Sequence, residues 1–481
     1  MSRYYLIVDL GTGNSRVILA SSEGELLGSR TFTNRYYRDD LYEDAQYFKP
    51  EEWQEKILNG CRELCREFPD IVIDGVTSAG ARQSFVLFDR EGKAFLGLPN
   101  IDNRGRAYMD EIPDSQALYR ISGKWVTEDV GAAKLYGFRK KYPKEYERIG
   151  SFTSISEWIA AIFTGRILIE PSQACESQLY DLRKKGWSDW AAKCYRIDKG
   201  ILPGFCRAGE TVGRILPVYR EAFHMKEEAI FVAGGADTQA AVLQTGLKEG
   251  EIAVVSGTTT PAVARVPQPL YEAGQAVWVD ADLKGDSFLV EMNPGVTGLN
   301  YQRAKTLLLP DWSYDSLEAA YEEKTSFACT TSFTSLLFYR QKSLRNGGFF
   351  MRSPLEPTAD RVDMLWAVLG DIACATWEQM RRLCDLTDNR DAYFLGCGGG
   401  FRSRTLCKML ASLSGRELRI YSGFEQATAQ GLIALCNRAF GNETIKRKNA
   451  AAIFVPETEN LIHEYYPVWL ENRNRANQLE R

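Results

Sequence analysis

Eight residues near the start of the chain, Asp9-Leu10-Gly11-Thr12-Gly13-Asn14-Ser15-Arg16, bring together the groups that hold a polyphosphate. The glycines let backbone approach a ligand, and successive N–H groups at such a turn can form an anion-binding nest. Thr12, Asn14 and Ser15 add donors, Arg16 adds positive charge, and Asp9 could orient a hydrated divalent cation. The spacing is not that of a Walker loop, and an ordinary solvated hairpin turn could use the same residues. A second turn of similar chemistry, Ser256-Gly257-Thr258-Thr259-Thr260, follows the apolar run Ile252 to Val255. A third, Cys397-Gly398-Gly399-Gly400-Phe401-Arg402-Ser403, follows Tyr393 to Gly396, and its glycines permit a planar ring or a phosphate to lie against backbone.

The candidate for proton transfer is Asp237, in Gly234-Gly235-Ala236-Asp237-Thr238-Gln239, between the apolar run Ala229 to Ala233 and a helix starting at Ala240. A carboxylate there could equally be a helix cap. Two polar loops follow apolar strands: Ala79-Gly80-Ala81-Arg82-Gln83-Ser84 and Pro99-Asn100-Ile101-Asp102-Asn103-Arg104. Ends of buried strands are where an open α/β sheet presents ligand groups. Gly298 and Gln302 stand at the head of a later helix. With only His224 and His463, a His-ligated metal site or a Ser-His-Asp hydrolase is disfavoured. The eleven cysteines include no C-x-x-C pair, and Cys61 and Cys65 read as thiols on one helix face, not metal ligands.

The elements that must position these groups are legible from periodicity. Tyr4 to Val8 and Val17 to Ala20 are the strands of a hairpin, 51–67 is an amphipathic helix carrying Trp53, Ile57, Cys61 and Leu64, and Ile71 to Thr77 and Phe85 to Phe88 are strands. Val362 to Leu383 has the apolar stripe of a long core-facing helix. A chain of 481 residues exceeds the size at which one core usually divides, so two domains are expected. Hydrophobic residues at 44% and charged residues at 25% fit a globular protein. A net charge of -4 disfavours nucleic-acid binding through a broad basic surface. No apolar run approaches the ~20 residues of a membrane span, and the first twenty residues do not resemble a signal peptide, so a cytoplasmic protein is expected.

Taken together and in order, these stretches resemble the FGGY family of carbohydrate kinases, within the actin, sugar kinase and Hsp70 class of ATPases. Asp9 to Arg16 looks like the first phosphate motif, Ser256 to Thr259 like the second, Gly398 to Ser403 with Leu410 to Gly415 like the adenosine motif, and Gly234 to Asp237 like the segment bearing the catalytic acid. The resemblance implies an α/β fold of two ribonuclease H-like domains flanking a cleft, residues 1–247 binding sugar and 248–481 binding ATP. Asp237 becomes the general base, and Asp9 with Asp237 the carboxylates that hold Mg²⁺. Arg82, Gln83, Asn100, Asp102, Asp129, Asp237, Thr238 and Gln239 become substrate contacts. Gly11, Thr12, Gly13, Asn14, Ser15, Arg16, Gly257, Thr258, Thr259, Gly298, Gln302, Gly398, Gly399, Gly400 and Ser403 become ATP contacts. The partners implied are a small sugar and ATP, and homodimers are common in the family.

Departures from the family pattern concern the sugar. Asn100 stands where many relatives have Trp, with Asp102 and Arg104 kept; Gln83 replaces a Glu beside Arg82; and the aromatic positions of glycerol kinases hold Asn100, Asp129 and Pro261. Lys134-Leu135-Tyr136-Gly137 lacks the family's Trp. Such a pocket is expected to read hydroxyl or carbonyl groups more than bare C–H faces. Asn100, Gln239, Ser156-Glu157-Trp158 and Glu170-Pro171-Ser172 resemble the autoinducer-2 kinase branch, which points to a small linear polyhydroxylated ketone; the rival enzyme is a pentulose or deoxyketose kinase of the same fold. The alternative is a catalytically inactive ATP- and sugar-binding sensor of the same fold.

Overall fold

The computed structural model of the chain describes residues 2–42, 44–334, 347–357, 359–442 and 450–479. Two large sheets, one from each half of the sequence, share one strand order. In the first, Leu26–Thr33, Asn14–Ser21 and Tyr4–Leu10 form an antiparallel meander, and Ile73–Gly80 and Met225–Ala236 continue it in parallel. In the second, Phe288–Met292, Ala262–Val266 and Ile252–Val255 form the meander, and Tyr393–Cys397 and Glu417–Tyr421 follow in parallel. The repeat that is faint in sequence is therefore explicit in topology. In both sheets the first strand turns directly into the second, so the two phosphate-type turns occupy equivalent places.

Sequence periodicity explains the layers. Strand Ile73–Gly80 is buried along its whole length, Tyr4–Leu10 beyond its first residue and Met225–Ala236 over its last six residues, as parallel strands covered on both faces must be. Helix Pro50–Glu67 begins with Pro at its first turn and buries Trp53, Ile57, Cys61 and Leu64. Helix Arg361–Thr387 starts in a capping box made by Asp360 and Asp363 and packs its apolar stripe into the core of the second half. All eleven cysteines are free, and burial pushes the Cys61 thiol well up, in keeping with the thiol reading.

Two strands run further than their apolar residues indicate. Ala79-Gly80, read above as loop, and Gly234-Gly235-Ala236, read above as following the apolar run Ala229 to Ala233, complete strands Ile73–Gly80 and Met225–Ala236. The reason is pairing: Gly80 is in register with Leu10 on one side and Ala236 on the other. Glycine is required at Gly234, where a Cβ would stand 1.8 Å from the Ser78 carbonyl oxygen.

The helix after each sheet's final parallel strand meets its counterpart between the halves. Asp237–Gln244 packs on Ala427–Ala439, and Gly431 allows contact at backbone distance, since a Cβ there would lie 2.0 Å from the Ala240 carbonyl oxygen. The second helix is also fastened to the first sheet: Tyr5 donates to Asn437 Oδ1 at 2.8 Å, and Asn437 Nδ2 and Gln430 Nε2 donate to the carbonyls of Ser22 and Gly24.

Candidate active site

A cavity of about 430 Å³ lies between the halves and is lined by residues of both. From the first half come Gly11, Thr12, Arg16, Arg82, Gln83, Asn100, Trp125 and Asp129, with Asp237 and Thr238; from the second come Gly257, Thr258, Thr259, Pro261, Trp278, Glu291, Gly398 and Gly399. Segments some 390 residues apart thus converge on one volume.

The first phosphate-type turn is braced from behind. The Asn34 amide donates to the carbonyls of Gly11 at 2.7 Å and Thr12 at 3.2 Å, Tyr36 donates to Thr12 O at 2.5 Å, and Ser15 Oγ donates to Asn34 Oδ1 at 2.8 Å. Ser15 is consequently a buried brace, while Gly13 and Asn14 are exposed and outside the cavity lining. Arg16 bonds Asp9 Oδ2 at 2.5 Å and Gln426 Oε1 at 2.7 Å, tying this turn to the opposite half.

The turns of the second half interlock. Gly398 has φ +98° and would place a Cβ 2.4 Å from Ser256 O, and a Cβ at Gly400 would strike the Ser256 side chain. Gly298 packs equally closely on Gly257 O, at 2.2 Å for its notional Cβ. Gly400 and Gly298 thus shape the turns without lining the cavity, whereas a Cβ at Gly399 would meet nothing within 4 Å. Ser403 caps helix Arg404–Ser414 and donates to Glu318 at 2.5 Å, and Gln302 is exposed on helix Gly298–Leu308. Neither is among the lining residues.

On the remaining wall, Gln83 holds a left-handed backbone at φ 62°, and its carbonyl accepts from Lys134 Nζ at 2.6 Å. Lys134 also donates to Pro99 O at 2.6 Å, so it ties the two polar loops together; burial lowers its pKa to about 8. Asn100 reaches the phosphate-type turn, Nδ2 donating to Thr12 Oγ1 at 2.7 Å, while its Oδ1 is buried without a hydrogen-bond partner. Asp102 lies away from the cavity: it is fully buried, bonded to Arg104 Nε at 2.7 Å and to the backbone N–H of Gln46 at 3.0 Å. Asp129 lines the cavity, and burial raises its carboxyl while Lys134 opposes the rise.

Arg82 is held by a partner from the other half. Its terminal nitrogens donate to both Glu291 oxygens, at 2.6 and 2.9 Å. Burial works against its charge, and Glu291, Glu176 and Asp280 together overcome this. Behind it, buried Lys124 pairs with Asp280 at 2.6 Å and Glu176 at 3.3 Å. Trp125 and Trp278 both line the cavity, their rings 5.0 Å apart, so aromatic surface is present beside Asn100, Asp129 and Pro261.

Asp237 begins helix Asp237–Gln244, and its Oδ1 accepts from Thr238 N at 2.7 Å and, more weakly, from Thr238 Oγ1 at 3.3 Å. Ala236 holds the cap position, so Asp237 is not the cap. Burial raises its pKa from 3.8 to about 6; Arg82 opposes this and the charge of Asp9 adds to it. Gln239 is buried in the same first turn of the helix with its Oε1 unpaired. Among the described residues no cluster of three or more His, Cys, Asp or Glu is arranged for a metal. Asp9 lies outside the cavity lining and is engaged by Arg16, yet close enough for its charge to act on Asp237; Mg²⁺ keeps several waters and uses one or two carboxylates plus substrate phosphates, which these two residues could supply. Sequence reasoning missed Glu291, Asp280, Lys124, Gln426 and both tryptophans, for none belongs to a glycine-rich or acid-bearing turn.

The profile described as "FGGY family of carbohydrate kinases, N-terminal domain" matches residues 4–244. Bacillus subtilis (strain 168) YoaC is 35% identical over 438 residues, covering 91% of this chain and 90% of its own. An autoinducer-2 kinase of Yersinia enterocolitica serotype O:8 is 20% identical, covering 89% and 84%. The ligand-bound xylulose kinase structure from Lactobacillus acidophilus superposes with a TM-score of 0.84 at 15% identity, covering 98% of each chain, and so shares the fold. Two ribonuclease H-like sheets around a cleft with paired phosphate-type turns are what that fold comprises, and the chain belongs to the FGGY family of carbohydrate kinases, phosphotransferases with an alcohol group as acceptor.

Proposed function

We propose that this enzyme transfers the γ-phosphoryl group of ATP to a hydroxyl of a small linear polyhydroxylated ketone, of the autoinducer-2 or pentulose kind, with Asp237 as general base. The observation that carries the reading is the position of Asp237: on the cavity wall, with phosphate-type turns of both halves lining the same volume. Its carboxyl, lifted to about 6, remains ionised at neutral pH and is a stronger base than an ordinary aspartate. It takes the proton of the attacking hydroxyl as that oxygen bonds to phosphorus and ADP departs. Phosphoryl transfer asks mainly for positioning and charge stabilisation, which the N–H groups of the turns provide. Asp9 and Asp237 are the residues that would hold Mg²⁺, whose charge would offset that of the phosphates.

Residues 1–247 would carry the sugar and 248–481 the nucleotide. Two lining atoms are buried without partners, Asn100 Oδ1 and Trp278 Nε1, an acceptor and a donor suited to a hydroxyl and a carbonyl. Sequence similarity to an autoinducer-2 kinase supports the same substrate class. A panel of tetruloses, pentuloses and glycerol in a coupled ADP-release assay tests it. Turnover of a ketose well above glycerol is expected; glycerol used equally well, or no turnover with any sugar, refutes it.

A further inference from the structure

We infer that Glu291 is a specificity-determining residue, which confines the cleft to uncharged sugars and excludes sugar acids. The inference rests on the kinase reading above. Glu291 lies on strand Phe288–Met292, is 6% exposed and lines the cavity. It occupies both terminal nitrogens of Arg82, the guanidinium best placed to grip a substrate carboxylate in a bidentate pair. Its Oε1 also accepts from Asn293 Nδ2 at 3.1 Å.

Other cations near the cavity are likewise engaged: Arg16 by Asp9 and Gln426, Lys124 by Asp280 and Glu176, and Lys134 by two carbonyls. Against the two lining arginines stand four lining carboxylates, Asp129, Asp237, Glu291 and Glu425. A sugar acid entering this site must displace Glu291 from Arg82, leaving a buried carboxylate unpaired, or lie among like charges; each weakens its binding relative to a neutral sugar. A neutral ketose meets neither penalty. Its hydroxyls can donate to carboxylate oxygens, and its C–H faces can lie on Trp125 and Trp278.

The test compares D-xylulose and L-erythrulose with D-gluconate, by titration calorimetry and by coupled ADP release, on the full chain. The wild type is expected to favour the better ketose over D-gluconate by at least ~100-fold in kcat/KM. Glu291→Gln, which removes the charge and frees Arg82, should narrow that gap by at least ~10-fold through tighter gluconate binding. Glu291→Asp should keep the wild-type preference. A wild type that binds or phosphorylates D-gluconate as well as the ketoses overturns the inference, whether or not any variant folds. So does an unchanged ratio in folded Glu291→Gln. If no sugar is bound and no ADP released in any arm, the kinase reading itself falls.

Discussion

Replacing Asp237 by Asn separates catalysis from stability, because the structure gives the two effects opposite signs. Asparagine keeps the side-chain shape and an oxygen able to accept from Thr238 N, now 2.7 Å from Oδ1, so the start of helix Asp237–Gln244 should persist. What disappears is a partly buried charge. Because the folded pKa, about 6, lies above the ordinary 3.8, the native state retains a proton that the unfolded chain releases. The associated stability is complete below about pH 4 and is lost as pH rises through about 6. Such a displacement corresponds to about 3 kcal/mol, and the partial exposure of the carboxyl reduces this to roughly 1–3 kcal/mol. Asp237→Asn should therefore be more stable than wild type by that amount at pH 8, with the difference shrinking toward pH 5. Its kcat should nevertheless fall by at least ~10², since no base remains to take the hydroxyl proton. Urea unfolding at the two pH values and ADP release at saturating sugar measure both quantities on one preparation. Near-normal turnover refutes the base assignment, and a variant less stable than wild type at pH 8 refutes the account of its burial.

Other substitutions probe other parts of the site. Gly399→Val places a side chain in the open space beside the glycine turn and should raise the KM for ATP while leaving sugar affinity, measured without nucleotide, nearly unchanged; the reverse pattern would invert the proposed division of labour. Asn100→Ala removes an acceptor from the sugar wall and the bond to Thr12 Oγ1, so kcat/KM for the best ketose should drop by ~10-fold or more and for glycerol by less. Equal losses would mean that the side chain only supports the loop. Burial raises the pKa of Glu157 to about 7 and of Glu170 to about 8, so wild-type stability should decline as pH climbs from about 4.5 through 8. Urea midpoints should show Glu170→Gln resisting that decline at pH 9 and matching wild type near pH 5; parallel curves would exclude the buried acid as its source.

The sequence alone determined the local pieces. Alternating and continuous apolar runs specified the hairpins, the central strands and helices Pro50–Glu67 and Arg361–Thr387, because backbone periodicity and burial leave few other ways to cover those residues. Glycine, threonine and acid at strand ends marked the turns for the same reason: few residue types allow backbone close to a ligand. Tertiary structure alone decided which side chains face the cavity. Asp102, Ser15 and Ser403 have the residue types of ligand contacts, yet each is turned into the protein to satisfy Arg104, Asn34 or Glu318. Glu291 and Trp278 carry no local signature, and they reach the cavity because strands Trp278–Ala281 and Phe288–Met292 extend the second sheet toward the loops of the first half, where the equally unmarked Trp125 meets Trp278. A residue's type and neighbours constrain its own backbone, whereas its partner across a cleft depends on the packing of segments about 200 residues apart, such as Arg82 and Glu291.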